Sequence, residues 1–146
     1  MTNNIVQAAR GWIGTRFHHQ GRLKKTNTDR GGVDCLGLLI GVAGELNLPF
    51  SHYDKTDYSH YPDTQKLKEN LSAALQQIAV NEIKAGDILL FNVDNNPQHL
   101  AIVSDMSGEL GIIHAYAPAR AVVEHGLDAW WRERIVAAFR INDDKK

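Results

Sequence analysis

The hydrophobic period of this chain changes at Ala85. Before that point apolar residues recur at helical spacing; after it, short apolar runs are separated by turn residues, as strands are. Helices first and strands second, within 146 residues, predict an α+β domain in which helices pack on one antiparallel sheet. Ile5, Ala8, Ala9, Trp12 and Ile13 predict an amphipathic helix over 3–13, stopped at Gly14. A second helix, over 34–46, is apolar nearly all round (Leu36, Leu38, Leu39, Ile40, Val42), so it belongs at the centre of the core, with Pro49 ending it. Between them, residues 21–32 read as a loop carrying Arg22, Lys24, Lys25, Asp29 and Arg30. An irregular excursion over 51–63 precedes a third helix over 67–78. Strands are predicted at 88–91, 99–103, 111–114, 121–124 and 135–141, with a turn at 94–97, a helical turn around 128–132 and a frayed tail at 142–146.

Composition narrows the class further. With 43% hydrophobic and 23% charged residues, a chain of this length buries one real core, so residues 1–146 read as a single domain. A net charge of −1 exerts no long-range pull on nucleic acid or an anionic membrane surface, and neither is expected as a partner. The N-terminus, Met1-Thr2-Asn3-Asn4-Ile5, lacks a basic segment followed by an apolar one, and no run is long enough to span a bilayer. Synthesis in the cytoplasm without a classical signal peptide is the expectation, with no membrane insertion. One cysteine forms no internal disulfide, which leaves its thiol free to react.

That cysteine lies in Gly32-Val33-Asp34-Cys35-Leu36-Gly37-Leu38-Leu39, at the first turn of the central helix. The free amides and dipole of a helix N-terminus favour negative charge, which predicts a lowered thiol pKa, and Asp34 is placed to cap the helix. A lone cysteine is more often a small buried hydrophobe. His99 and His114, each opening or closing an apolar run, shift the reading toward a cysteine hydrolase, whose residues meet in space rather than in sequence. Each histidine taken alone is as readily a strand-edge residue with a satisfied hydrogen bond. Neighbouring antiparallel strands can nevertheless bring the two together as a base and the group that orients it. His18 and His19, adjacent on an extended segment, point to opposite sides and lack a carboxylate at ligand spacing, so no metal is expected.

The motifs Gly11-Trp12-Ile13-Gly14-Thr15, Val33-Asp34-Cys35-Leu36-Gly37-Leu38, Gly86-Asp87-Ile88-Leu89-Leu90-Phe91 and His99-Leu100-Ala101-Ile102-Val103 occur in that order. His114-Ala115-Tyr116-Ala117, Val122-Val123-Glu124-His125, Trp130-Trp131 and Val136-Ala137-Ala138-Phe139-Arg140 follow. Together they span nearly the whole chain, which resembles the NlpC-type papain-like cell-wall peptidases, especially the small stand-alone members of phage-tail and prophage modules. The resemblance implies a papain-like fold with N-terminal helices packed on a central antiparallel β-sheet. It implies Cys35 as nucleophile, His99 as general base and His114 as the orienting residue, acting without metal or cofactor. The implied substrate is an amide bond of peptidoglycan stem peptides, commonly between D-glutamate and a diamino acid. Phage-tail or secretion-machinery proteins are the implied protein partners, with action on the cell wall after delivery by a phage particle, lysis or a secretion system.

The chain departs from the family at Thr15-Arg16-Phe17, where a Thr-Pro-Tyr segment usually supplies a phenol. Phe17, His19, Gln20 and Asp34 are therefore the candidate substrate-binding and oxyanion residues beside the Cys35 amide, with His18 a further possible donor. For His125 the expectation is a structural hydrogen bond. Two rival readings stay open: a thiol amidase or acyltransferase on another substrate, and a catalytically weak tail or assembly component that keeps the fold.

Overall fold

A computed structural model describes residues 3–52, 71–93 and 96–141. Helix α1, Asn4–Arg10, begins where the Asn3 side chain accepts from the amides of Ile5 at 2.9 Å and Val6 at 3.2 Å. It ends three residues before the predicted Ile13, because the amides of Gly11 and Trp12 turn back onto the carbonyls of Ala8 and Ala9. That tightened turn swings Trp12 into the core. The indole lies so close to helix α2, Cys35–Glu45, that a Cβ on Gly41 would sit 2.3 Å from it.

Asp34 caps α2 as predicted, and Leu36, Leu38, Leu39, Ile40, Val42 and Ala43 are buried. The helix stops before Pro49, through a Schellman motif. Asn47 adopts φ 56°, its amide donates to the Gly44 carbonyl at 3.2 Å, and the Leu48 amide donates to the Ala43 carbonyl at 2.8 Å. Pro49 then opens a single 3-10 turn, Pro49–His52.

The predicted loop over 21–32 contains a small antiparallel ribbon, β1 (Arg22–Leu23) with β2 (Gly32–Val33). Two of its basic residues fold back toward α2, while Lys25 and Arg30 stand exposed. Arg22 pairs with Asp34 at 3.1 Å, and Lys24 pairs with Glu45 at 2.8 Å while lying 5.6 Å over the Trp12 ring.

Six strands form the main sheet: β3 (Gln76–Ile78), β4 (Ile88–Val93), β5 (Asn96–Met106), β6 (Glu109–Tyr116), β7 (Ala121–Gly126) and β8 (Ile135–Arg140). Their order is β3-β8-β4-β5-β6-β7, with every neighbour antiparallel. The five predicted strands are present; β3 was not foreseen. Residues 71–74 are helical, but Gln76–Ile78 leaves the predicted helix to pair with Arg140, Phe139 and Ala138 of β8. The rest of that predicted helix, most of the 51–63 excursion, turn residues 94 and 95, and the tail 142–146 lie outside the described residues. Segment 14–17 runs along the outer edge of β7: Gly14 donates to the Val122 carbonyl, Val122 to Thr15 and Phe17 to Arg120.

Alternation along the strands gives the sheet two apolar faces. One, including Leu90, Leu100, Ile102, Ile113 and Phe139, packs on α1 and α2, as predicted for helices on a central antiparallel sheet. The other, including Leu89, Phe91, Ala101, Val103 and Ile112, is covered by Leu127 and Trp131 beside and within the short helix Ala129–Arg132. Buried Asp87 accepts from Nε and Nη2 of Arg140 at 2.9 Å each, and from the Lys84 amide at 2.8 Å, fastening β4 to β8. Arg10 does the same for α1, donating to Glu124 of β7 at 2.9 Å and to the Asp105 carbonyl of β5 at 2.7 Å. Among the described residues no helix is long and apolar enough to cross a membrane.

Candidate active site

Cys35 is the first residue of α2 and is half-buried. The Leu100 amide of β5, one residue past His99, hydrogen-bonds the thiol, as do the amides of Leu36 and of Cys35 itself. Those amides favour the thiolate, as anticipated, but burial and then the Asp34 carboxylate oppose it more strongly, and the thiol is pushed up to about 12. The predicted lowering is thus reversed.

Asp34 ties the approach segment to the helix. Its Oδ1 accepts from the Gly37 amide at 2.8 Å and from Arg22 at 3.1 Å, and its Oδ2 accepts from the Gln20 amide at 2.9 Å. Gln20 sits at φ 60°, and a turn closed by the Gly21 amide on the His18 carbonyl at 2.8 Å lies against α2. Gly37 permits this approach, since a Cβ there would fall 2.3 Å from the Gly21 carbonyl oxygen. Asp34 thus holds the first turn of α2, the Gln20 turn and Arg22 together. Phe17 is bridged to Val33 through its backbone and its half-buried ring packs on the core, while His19 and Gln20 are half-buried beside it. The structure therefore brings the segment of Phe17, His19 and Gln20 against the residues just before Cys35.

The histidines form a line. His99 Nε2 lies 2.6 Å from His114 Nδ1, and His114 Nε2 lies 2.8 Å from His125 Nε2. The register explains it. Ile102 pairs with Ile113 and Ile112 with His125, so His99 on β5, His114 on β6 and His125 on β7 share one face and step diagonally across three strands. At the far end His125 Nδ1 meets the Gly126 carbonyl at 3.0 Å. His125 was expected only as a structural residue; the strand register that makes it the third member is not visible in a sequence without the pairing.

Trp131 covers this line, with ring centroids 5.0 Å from His114, 5.2 Å from His125 and 6.1 Å from His99. Tyr116 stacks on His114 at 5.0 Å. Under this cover burial pushes His99 down to about 4, with the charge of a protonated His125 adding to the effect. His114 is held lower still, again chiefly by burial and then by His99 and His125. Both imidazoles are neutral at neutral pH. Beyond His125 a groove of about 580 Å³ opens, lined by Tyr116, Val123, Asp128, Trp130 and Trp131. Among the described residues no three His, Cys, Asp or Glu groups are arranged to hold a metal ion.

The sequence model described as the NlpC/P60 family matches residues 14–140. The fold is similar to an NlpC/P60 family protein from Bacillus cereus ATCC 10987, with TM-score 0.63 and 15% identity, over 94% of this chain and 39% of that one. It is similar to NlpC1 from Trichomonas vaginalis, with TM-score 0.59 and 18% identity, over 97% of this chain and 45% of that one. An N-acetylmuramoyl-L-alanine amidase from Bacteroides uniformis ATCC 8492 superposes with TM-score 0.55 and 11% identity, over 93% of this chain and 95% of that one. The chain thus spans less than half the length of the first two and nearly all of the third. No curated protein sequence matches it.

Proposed function

The chain belongs to the NlpC/P60 family, and on that premise we propose that it hydrolyses an amide bond of peptidoglycan stem peptides with Cys35 as nucleophile. The observation that carries this reading is the seat of the Cys35 sulfur on the Leu100 amide, next in sequence to the head of the buried histidine line. Because the resting thiol is protonated, attack is coupled to proton transfer: sulfur bonds to the carbonyl carbon as His99 takes the thiol proton. The Cys35 amide supplies one donor to the developing oxyanion, and His19 or Gln20 supplies the second in place of the phenol missing at Phe17. Collapse expels the amine, which takes the proton back from His99, and leaves a thioester. Water, deprotonated by His99, then attacks the thioester carbonyl; the carbon–sulfur bond breaks, the acid is released, and the Cys35 sulfur takes the proton from His99. His114 holds the ring of His99 in place throughout.

Two bonds fit this chemistry. The family resemblance favours the D-glutamate to diamino acid link. The near-coextensive Bacteroides uniformis neighbour, whose name specifies an amide next to muramic acid, supports that bond as a second reading. Delivery to the wall by a phage particle, lysis or secretion machinery completes the proposal and rests on the resemblance of the C-terminal motifs. Mass spectrometry of purified muropeptides after incubation tests the reading and separates the two bonds. New fragments are expected with the unaltered protein, essentially none with Cys35→Ser or His99→Ala, and a residual yield with His114→Ala. Equal turnover by Cys35→Ser would remove the cysteine mechanism.

A further inference from the structure

We propose that His125 sets which nitrogen of His99 carries the lone pair, and so is a third, positioning histidine of the site; as a statement about catalysis this rests on the function proposed above. The argument starts at a group with no choice. The Gly126 carbonyl only accepts, so a neutral His125 in contact with it at 3.0 Å carries its proton on Nδ1 and leaves a lone pair on Nε2. That lone pair faces His114 Nε2 at 2.8 Å, which must then carry a proton. His114 Nδ1 is left as an acceptor facing His99 Nε2 at 2.6 Å, which must in turn be the donor. His99 Nδ1 is therefore the unprotonated nitrogen, the one able to take a proton from a thiol. A backbone carbonyl three residues removed along the line selects the base. The alternating donors and acceptors leave no other assignment for three neutral rings, because reversing any one ring sets two N–H groups, or two lone pairs, against each other.

The burial of the line makes the selection matter. His114 is fully buried and His99 nearly so, which leaves little water to satisfy a ring in the wrong tautomer. Trp131 and Tyr116 close the line from above with their rings. Loss of tautomer control in a serine protease lowers kcat by about 10⁴ while the geometry stays intact. Here His114 remains in place when His125 is replaced, so a smaller loss, of at least about tenfold, is expected.

The test pairs a direct readout with a kinetic one. Long-range proton–nitrogen NMR of the intact protein at pH 8 reports the protonated nitrogen of each imidazole. The expected pattern is Nε2–H on His99 and His114 and Nδ1–H on His125. In His125→Leu, which offers no acceptor, His99 should become a mixture of tautomers, kcat should fall at least tenfold, and KM should stay within twofold. His125→Gln, whose amide carbonyl can accept from His114, should restore both the single tautomer and most of kcat. Nδ1–H on His99 in the unaltered protein would overturn the inference, whatever the variants do. So would an unchanged His99 tautomer in His125→Leu. Correct tautomers in a protein that cleaves no muropeptide would leave the assignment standing and remove the proposed hydrolase instead.

Discussion

At the scale of single residues, Cys35 shows what local reasoning captures and what it misses. The sequence placed it on the first turn of an apolar helix after a capping Asp34, and both features are present. The amide effect was legible because it belongs to the helix alone. Burial, the larger opposing effect, depends on tertiary packing, and together with the neighbouring Asp34 carboxylate it pushes the thiol up to about 12. The consequence is measurable by alkylation with iodoacetamide. The rate should climb through the alkaline range without levelling off below pH 9, and Asp34→Asn, which keeps an acceptor for the Gly37 amide but removes the charge, should react faster at each pH. A plateau near pH 6 would mean that the resting site holds a thiolate after all. His99 and His114 were legible as a candidate pair because they lie on successive predicted strands, and the β5–β6 register places them on one face. His125 and Trp131 were not, since their roles depend on a β6–β7 register and on a helix laid over the far face of the sheet.

At the scale of elements, helix α2, the five longer strands and the helical turn at 128–132 were read correctly, and the short strands were not. Helix α2 and the five longer strands each carry enough apolar residues to declare their period. The ribbon of β1 and β2 and the edge strand β3 are two or three residues long and owe their conformation to partners distant in sequence. The end of α2 was assigned to Pro49, whereas a left-handed Asn47 two residues earlier does the work, a conformation asparagine tolerates and sequence does not announce. Asp34 joins three of these elements, holding the first turn of α2, the Gln20 turn and Arg22 of β1 at once. Asp34→Ala therefore removes a cap and takes the carboxylate partner from the half-buried Arg22 guanidinium. Destabilisation of about 3 kcal/mol is expected from those two losses, read as the shift of the urea midpoint at constant m. A shift below about 1 kcal/mol would show that the ribbon is held by its own pairing.

At the scale of the whole molecule, the prediction of helices on an antiparallel sheet held because the change of period at Ala85 divides the chain into those two layers. The second core, on the face away from the helices, was not foreseen, and it buries the histidines. Burial ties stability to pH with a definite sign. His99 titrates near 4 when folded, below the 6.5 of a free imidazole, so both states are neutral above pH 6.5 and the folded state loses ground as pH falls and the unfolded chain takes up protons. For His99 the loss reaches about 3 kcal/mol by pH 4. Cys35 acts at the other end: its raised pKa lowers stability above the range where an unfolded thiol ionises, about pH 8.5. Tm should be highest between pH 7 and 8 and fall on both sides, with a shallower acid limb in His99→Gln; an unchanged acid limb in that variant would mean that other groups dominate. The same sheet has two rims, and the molecule treats them differently. The β3 rim is only three residues long, while part of the β7 rim is occupied by segment 14–17. The stretch that leads to Phe17 is thus also a strand cover, and loosening it would expose unpaired amides and carbonyls to a second molecule, turning a change made near Cys35 into a tendency toward edge-to-edge self-association.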